Sequence, residues 1–151
     1  FSAVGEVNVV ELMKKKNAVI GGEGNGGIIL PDLHYGRDAL VGIALFLSHL
    51  ANLNISCSQL RSKYPSYFMS KDKIMLDKTV NVDKIINEIS KKYSDQEINN
   101  EDGLKIDFED SWVQLRKINT EPIIRVYSEA KSQKGADELS AKFITEIKKF
   151  I

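Results

Sequence analysis

Apolar and polar positions follow one texture up to about residue 65 and another beyond it. In the first stretch Val7, Val10, Leu12 and Met13 are spaced for a short helix, closed by Lys14-Lys15-Lys16, the charge a helix C-terminus prefers. Ala18-Val19-Ile20 reads as a buried strand entering Gly21-Gly22, and Ile28-Ile29-Leu30, closed by Pro31, as a second strand. Asp38 to Asn52 is apolar around almost its whole circumference, which predicts a buried helix with Asp38 as N-cap or first-turn acid. Ser56 or Ser58, before Leu60, opens a further short helix ending near Tyr64-Pro65.

The second stretch alternates more. Tyr67, Met69, Ile74 and Leu76 form a loose strand pattern, and Asn81 to Tyr93 an amphipathic helix with Val82, Ile85, Ile86 and Ile89 on one face. Asp95 to Gly103 is polar and reads as a loop. Leu104, Ile106 and Phe108 alternate with Lys105 and Asp107, and Glu109-Asp110-Ser111 turns the chain into a strand over 112–116. Pro122 precedes a strand over 123–129, and 135–151 is the last helix, with Leu139, Phe143, Ile144 and Ile147 inward. The expected fold is an α/β portion followed by an α+β domain, its sheet mostly antiparallel with helices on one face. The first portion holds about two strands and three helices, too little sheet to stand alone. It reads as part of a domain whose other strands come from elsewhere.

Composition narrows the function classes. The 151 residues carry 21 basic and 21 acidic side chains, and no segment is basic enough to bind nucleic acid by charge alone. The longest apolar run, Ala39 to Leu50, is too short to span a bilayer and contains Ser48 and His49. One cysteine, Cys57, can form neither an internal disulfide nor a cysteine zinc site. A cytoplasmic globular protein is expected, with no nucleic-acid or membrane partner.

Six of the ten glycines lie between Gly21 and Gly36. Gly22, Gly24 and Gly27 have the spacing of a dinucleotide fingerprint, but a strand follows where that site needs a helix N-terminus. No Gly-Lys-Ser/Thr follows either, so a P-loop fails. What the loop offers is the Glu23 carboxylate and the Asn25 amide on a backbone with few side chains. A carboxylate accepts from two adjacent hydroxyls, which suits a sugar diol. A plain glycine hairpin with Glu23 solvated fits the local sequence as well.

The second candidate is Arg116-Lys117-Ile118-Asn119-Thr120, followed by Pro122 and Arg125. A tight turn with free amides beside a guanidinium and a hydroxyl makes an anion nest. Arginine grips phosphate as a bidentate fork, and Asn tolerates the positive φ such a turn often uses. An ordinary strand connection with exposed charges is the alternative.

As an ordered pair about ninety residues apart, the two loops are far more specific. Gly-Gly-Glu-Gly-Asn-Gly-Gly before the apolar Asp38 helix, then Arg-Lys-Ile-Asn-Thr-Glu-Pro-Ile-Ile-Arg-Val before a terminal helix, resemble the C-terminal part of an α-D-phosphohexomutase. Ser2-Ala3-Val4-Gly5 is similar to that family's Thr-x-Val-Gly segment. The resemblance covers essentially the whole chain and is nearest the phosphoglucosamine/phosphomannomutase branch.

It implies an isomerase that moves phosphate between hexose 1- and 6-positions through a phosphoserine and a hexose 1,6-bisphosphate intermediate, with Mg2+. It implies the end of a third, sugar-binding domain over 1–58, a hinge over 59–65 and a phosphate-binding domain over 66–151. Glu23, Gly24, Asn25 and Gly26 would bind sugar hydroxyls. Arg116, Lys117, Asn119, Thr120 and Arg125 would bind phosphate. The implied partners are a phosphorylated hexose and the remaining N-terminal domains of the same enzyme.

Two positions depart from the family. Ile118 stands where a serine is usual, which removes a hydroxyl donor, and Gly27 where some members have histidine. His34 reads as a packed or solvated loop residue, and His49 as a core or interface one. The family's Ser-His phosphoacceptor motif and Asp-x-Asp-x-Asp metal loop are not found, so the chain alone is expected to be inactive. A non-catalytic phosphosugar-binding module and a purely structural domain are the competing readings.

Overall fold

A computed structural model describes residues 2–77, 79–118 and 121–151. The chain forms two compact units, Phe1–Pro65 and Ser66–Ile151.

In the first unit, helix α1 (Glu6–Lys16) leads to a hairpin of β1 (Gly21–Gly22) and β2 (Ile28–Ile29), then α2 (Ala39–Leu53) and α3 (Cys57–Arg61). The hairpin pairs Gly21 with Ile29 and Gly22 with Ile28. Asn17 and Asn54 end α1 and α2 in the left-handed region, which asparagine tolerates better than most residues. Asp38 is the N-cap of α2, its carboxylate accepting from the Val41 amide. Ser56 and Gln59 form a reciprocal capping box on α3. The core is small: Val9, Met13 and Ile29, with Val10 and Ala18 against them.

Two expectations fail in this unit. Helix α2 has no buried residue, and Leu40, Ile43, Phe46 and Leu47 are exposed. Helical periodicity was legible there, but burial needs a covering element, and within the unit α2 meets chiefly β2. The 18–20 run is not a strand, and Val19 and Ile20 are exposed, because the two-residue hairpin offers them no neighbouring strand. His49, read as a core or interface residue, is exposed on α2 and so is not part of this unit's core.

The second unit is a five-stranded antiparallel sheet in the order β3-β7-β6-β5-β4. Its strands are β3 (Phe68–Met75), β4 (Glu97–Asn99), β5 (Leu104–Asp107), β6 (Ser111–Lys117) and β7 (Ile123–Ala130). Helices α4 (Val82–Lys92) and α5 (Gln133–Lys148) are capped by the side chains of Asn81 and Ser132. Alternation puts Ile74, Leu104, Ile106, Val113, Leu115, Ile124 and Val126 on one face, packed with Ile85 and Ile89 of α4 and Phe143 and Ile147 of α5. Both helices therefore cover one side of the sheet, as the pattern predicted.

The buried residues Ser128, Ser140 and Glu146 have hydrogen-bond partners. Ser128 Oγ donates to the Ala136 carbonyl at 2.7 Å, and Ser140 Oγ to Asp72 at 2.5 Å. Burial raises the proton affinity of Glu146, but hydrogen bonds from Lys92 and Tyr93 outweigh it and leave the carboxyl below its ordinary range. The polar stretch read as a loop contains the edge strand β4, whose only apolar member is Ile98; edge strands need little hydrophobic pattern. Tyr67 and Met69 are exposed, so only Ile74 and Leu76 of the expected apolar set are in the core.

Candidate functional site

The glycine loop spans the hairpin tip at 23–27. The Glu23 amide donates to Gly27 O at 3.1 Å and the Gly26 amide to Glu23 O at 3.0 Å. Gly26 has φ +93°, a conformation open to glycine at little cost. Glu23 is half-buried and pinned: one carboxylate oxygen accepts from the Gly5 amide at 3.0 Å, and the other receives the Asn25 amide at 3.4 Å. The Ser2-Ala3-Val4-Gly5 segment and the glycine loop are thereby brought together. Each carboxylate oxygen keeps a lone pair for a hydroxyl. Gly24, Asn25 and Gly26 are exposed, and a side chain on Gly24 or Gly26 would meet nothing, so the rim is open to a ligand.

An open concavity of about 610 Å³ adjoins the loop, lined by Glu6, Asn25, Gly26, Gly27, Ile28, Arg37, Asp38 and Ala39. Glu6 accepts from the Arg37 amide at 3.0 Å and from its Nε at 2.8 Å, and these bonds hold the Glu6 carboxyl below its ordinary range. Asp38 is held low as well, first by the Val41 amide and then by His34. The Gly36 amide donates to His34 Nδ1, so in the neutral ring the proton lies on Nε2, facing Asp38 at 3.1 Å. Sequence reasoning missed Glu6 and Arg37. Thirty-one positions separate them, and no local pattern joins them.

In the second unit, Arg116 and Lys117 end β6, and Arg125 lies on β7 directly opposite Arg116. Asn119 and Thr120 lie outside the described residues. Arg116 Nε contacts Asp102 Oδ1 at 3.1 Å; the other Asp102 oxygen is buried with no partner among the described residues. Gly103, at φ +82°, packs so closely on the Leu115 carbonyl that a side chain there would collide with it. Lys117 alternates to the opposite face, where Nζ meets Asp83 of α4 at 2.7 Å. Arg125 donates to the Tyr127 hydroxyl at 3.1 Å. The structure thus puts Arg116 and Arg125 side by side, and Lys117 apart from them.

The dipeptide Ser48-His49 qualifies the reading that no Ser-His motif is present. It lies on an exposed part of α2, within a regular helix.

Residues 2–67 match the family description "phosphoglucomutase/phosphomannomutase, alpha/beta/alpha domain III", and residues 72–146 match the C-terminal domain of the same enzymes. The chain belongs to the α-D-phosphohexomutase family. It is similar to a phosphoglucosamine/phosphogalactosamine mutase of Sulfurisphaera tokodaii, 36% identical over all of this chain and 33% of that protein. It is 39% identical to a phosphoglucomutase/phosphomannomutase of Thermococcus kodakarensis, over 89% of this chain and 30% of that one. The chain therefore spans about a third of the length of these relatives. A phosphoglucomutase/phosphomannomutase family protein from Burkholderia thailandensis shares the fold at a TM-score of 0.75 and 24% identity, over 97% of this chain and 31% of that one.

Proposed function

We propose that these residues form the sugar- and phosphate-binding portion of a phosphohexomutase that interconverts hexose 1- and 6-phosphates. The observation that carries this reading is the pinned Glu23 carboxylate at an open glycine rim, in a chain of this family that also pairs Arg116 with Arg125. Glu23 grips vicinal hydroxyls, and each charge-assisted hydrogen bond there contributes roughly 1.5–3 kcal/mol when water is excluded. Arg116 and Arg125, with Asn119 and Thr120, hold the phosphate that is not reacting. A site reading charge and shape accepts either phosphate, so the sugar can bind in two opposite orientations. Between them it passes through a hexose 1,6-bisphosphate: a phosphoserine gives its phosphoryl group to the sugar, and the sugar's other phosphoryl group then returns to the freed serine. The 59–65 segment acts as the hinge that lets the phosphate loop close on the substrate.

Nucleophile and metal would come from N-terminal domains of a longer polypeptide. Among the described residues no group of three or more His, Cys, Asp or Glu side chains could hold a metal ion. The exposed apolar side of α2 fits such a context, since it would be covered by further parts of the domain. Among the described residues no helix is long and apolar enough to cross a membrane.

Calorimetric titration of the 151-residue chain with glucosamine 6-phosphate tests the reading. Saturable binding, abolished by Arg116→Ala and weakened by Glu23→Gln, is expected. No phosphate affinity, or turnover by this chain alone with added Mg2+, overturns it.

A further inference from the structure

Within the second unit α4 and α5 both pack on one face of the sheet, and the residues of the other face line up by register. Lys73 of β3 is directly opposite Arg125 of β7, which is directly opposite Arg116 of β6. Directly opposed residues project to the same face with Cβ atoms about 4.5–5.5 Å apart. Their sequence neighbours Ile74, Ile124, Val126 and Leu115 are buried on the other face, which confirms the direction. Three cations thus stand side by side across three strands.

Like charges in directly opposed positions destabilise a sheet. Arg116 has a counter-charge, Asp102. Among the described residues no carboxylate pairs with Lys73 or Arg125, and Asp72, next to Lys73, points to the other face and accepts from Ser140. The neighbouring row is different in kind: Lys71, Tyr127, Gln114 and Lys105, with Lys105 paired to Asp107. Lysines on an edge strand discourage edge-to-edge pairing. That explains a lysine on β3, but not its alignment with two arginines.

We propose that Lys73 is a third cation of the phosphate anchor, and that the row Lys73–Arg125–Arg116 takes one phosphate dianion of the sugar substrate. This rests on the phosphohexomutase reading. Arg116, fixed by Asp102, offers a planar fork, and Lys73 a mobile point charge from the far side. Three cations drawn from three strands, less the one charge of Asp102, balance a dianion, which favours the doubly ionised phosphate ester over singly charged competitors.

The test titrates the 151-residue chain with inorganic phosphate and with glucosamine 6-phosphate, at constant ionic strength in chloride. Lys73→Met is expected to weaken both affinities about tenfold, the size of one charge-assisted contact. Lys73→Arg should restore most of the loss, and Lys71→Met, the edge-lysine control, should change affinity less than twofold. In phosphate-free buffer Lys73→Met should unfold no earlier than the parent, since it relieves repulsion, yet it should gain less thermal stability on adding phosphate. Equal effects of Lys71→Met and Lys73→Met, or none from Lys73→Met while Arg116→Ala and Arg125→Ala abolish binding, overturn the row and leave the phosphohexomutase reading standing. No saturable phosphate binding by the parent chain, or none of these substitutions weakening it, overturns both.

Discussion

The two units use apolar residues in opposite ways. The second encloses them: Phe143, Ile147, Leu115 and Val126 are fully buried between one sheet face and two helices. The first displays them, with Leu40, Ile43, Phe46 and Leu47 exposed on a regular, well-capped helix. Forming a helix and covering it are separate requirements. A capping carboxylate and helical spacing meet the first within a few turns of chain, while the second needs a partner surface of matching area.

The sharpest way to break this contrast is a pair of truncations. Phe143→Ala should destabilise the second unit by about 3–5 kcal/mol in urea unfolding, through lost burial and a cavity. Phe46→Ala on α2 should shift the first unit by only about 0.5 kcal/mol, since little is uncovered. Comparable losses would mean that α2 is covered in solution.

Next in size is Gly103→Ala. The positive φ and the close Leu115 carbonyl together should cost about 1–3 kcal/mol. Because Arg116 follows Leu115, phosphate affinity should fall with stability, as titration would register. Unchanged affinity would detach the strand connection from the anchor.

Third, Ser132→Ala should cost the second unit about 1 kcal/mol by removing the N-cap of α5. The same exchange at Ser56, in the short capped α3 of the first unit, should cost about 0.5 kcal/mol. Thermal melts of both variants compare how tightly each unit couples its helix ends to its core.

The smallest effect is on pH. Glu6 and Asp38 have folded-state carboxyls held below their ordinary values of 4.5 and 3.8. Their contribution is therefore complete above those values and is lost as pH falls through the lower folded values. Melting of the first unit should decline modestly below about pH 4.5. Glu6→Gln, which keeps the shape but not the charge, should flatten part of that decline.

Legibility in the sequence followed the range of the interaction. Asp38 and Ser56 were readable because a cap acts over three residues. The Phe143–Ile147 face was readable because it faces a core within the same unit. Val19 and Ile20 misled because a short apolar run records a need for cover and not its supply. The β4 strand was hidden because Glu97-Ile98-Asn99 gains its structure from pairing with β5, not from its own pattern. At the candidate site, Glu23, Arg116 and Arg125 stood out as motifs. Glu6 with Arg37, and Lys73 beside Arg125, emerge only once register and tertiary contact are known.

The hydrogen bond from Ser140 to Asp72 reaches further than its own energy. Side chains on a strand change sides with every step, so if β3 slid by one residue Asp72 would turn outward and Lys73 inward. That error would break the tether to α5 and drive an ammonium into the hydrocarbon interior, a doubly unfavourable arrangement. Strand alignment is thus proofread from behind the sheet: an acid fastened on the inner side keeps the outer side's charges in file.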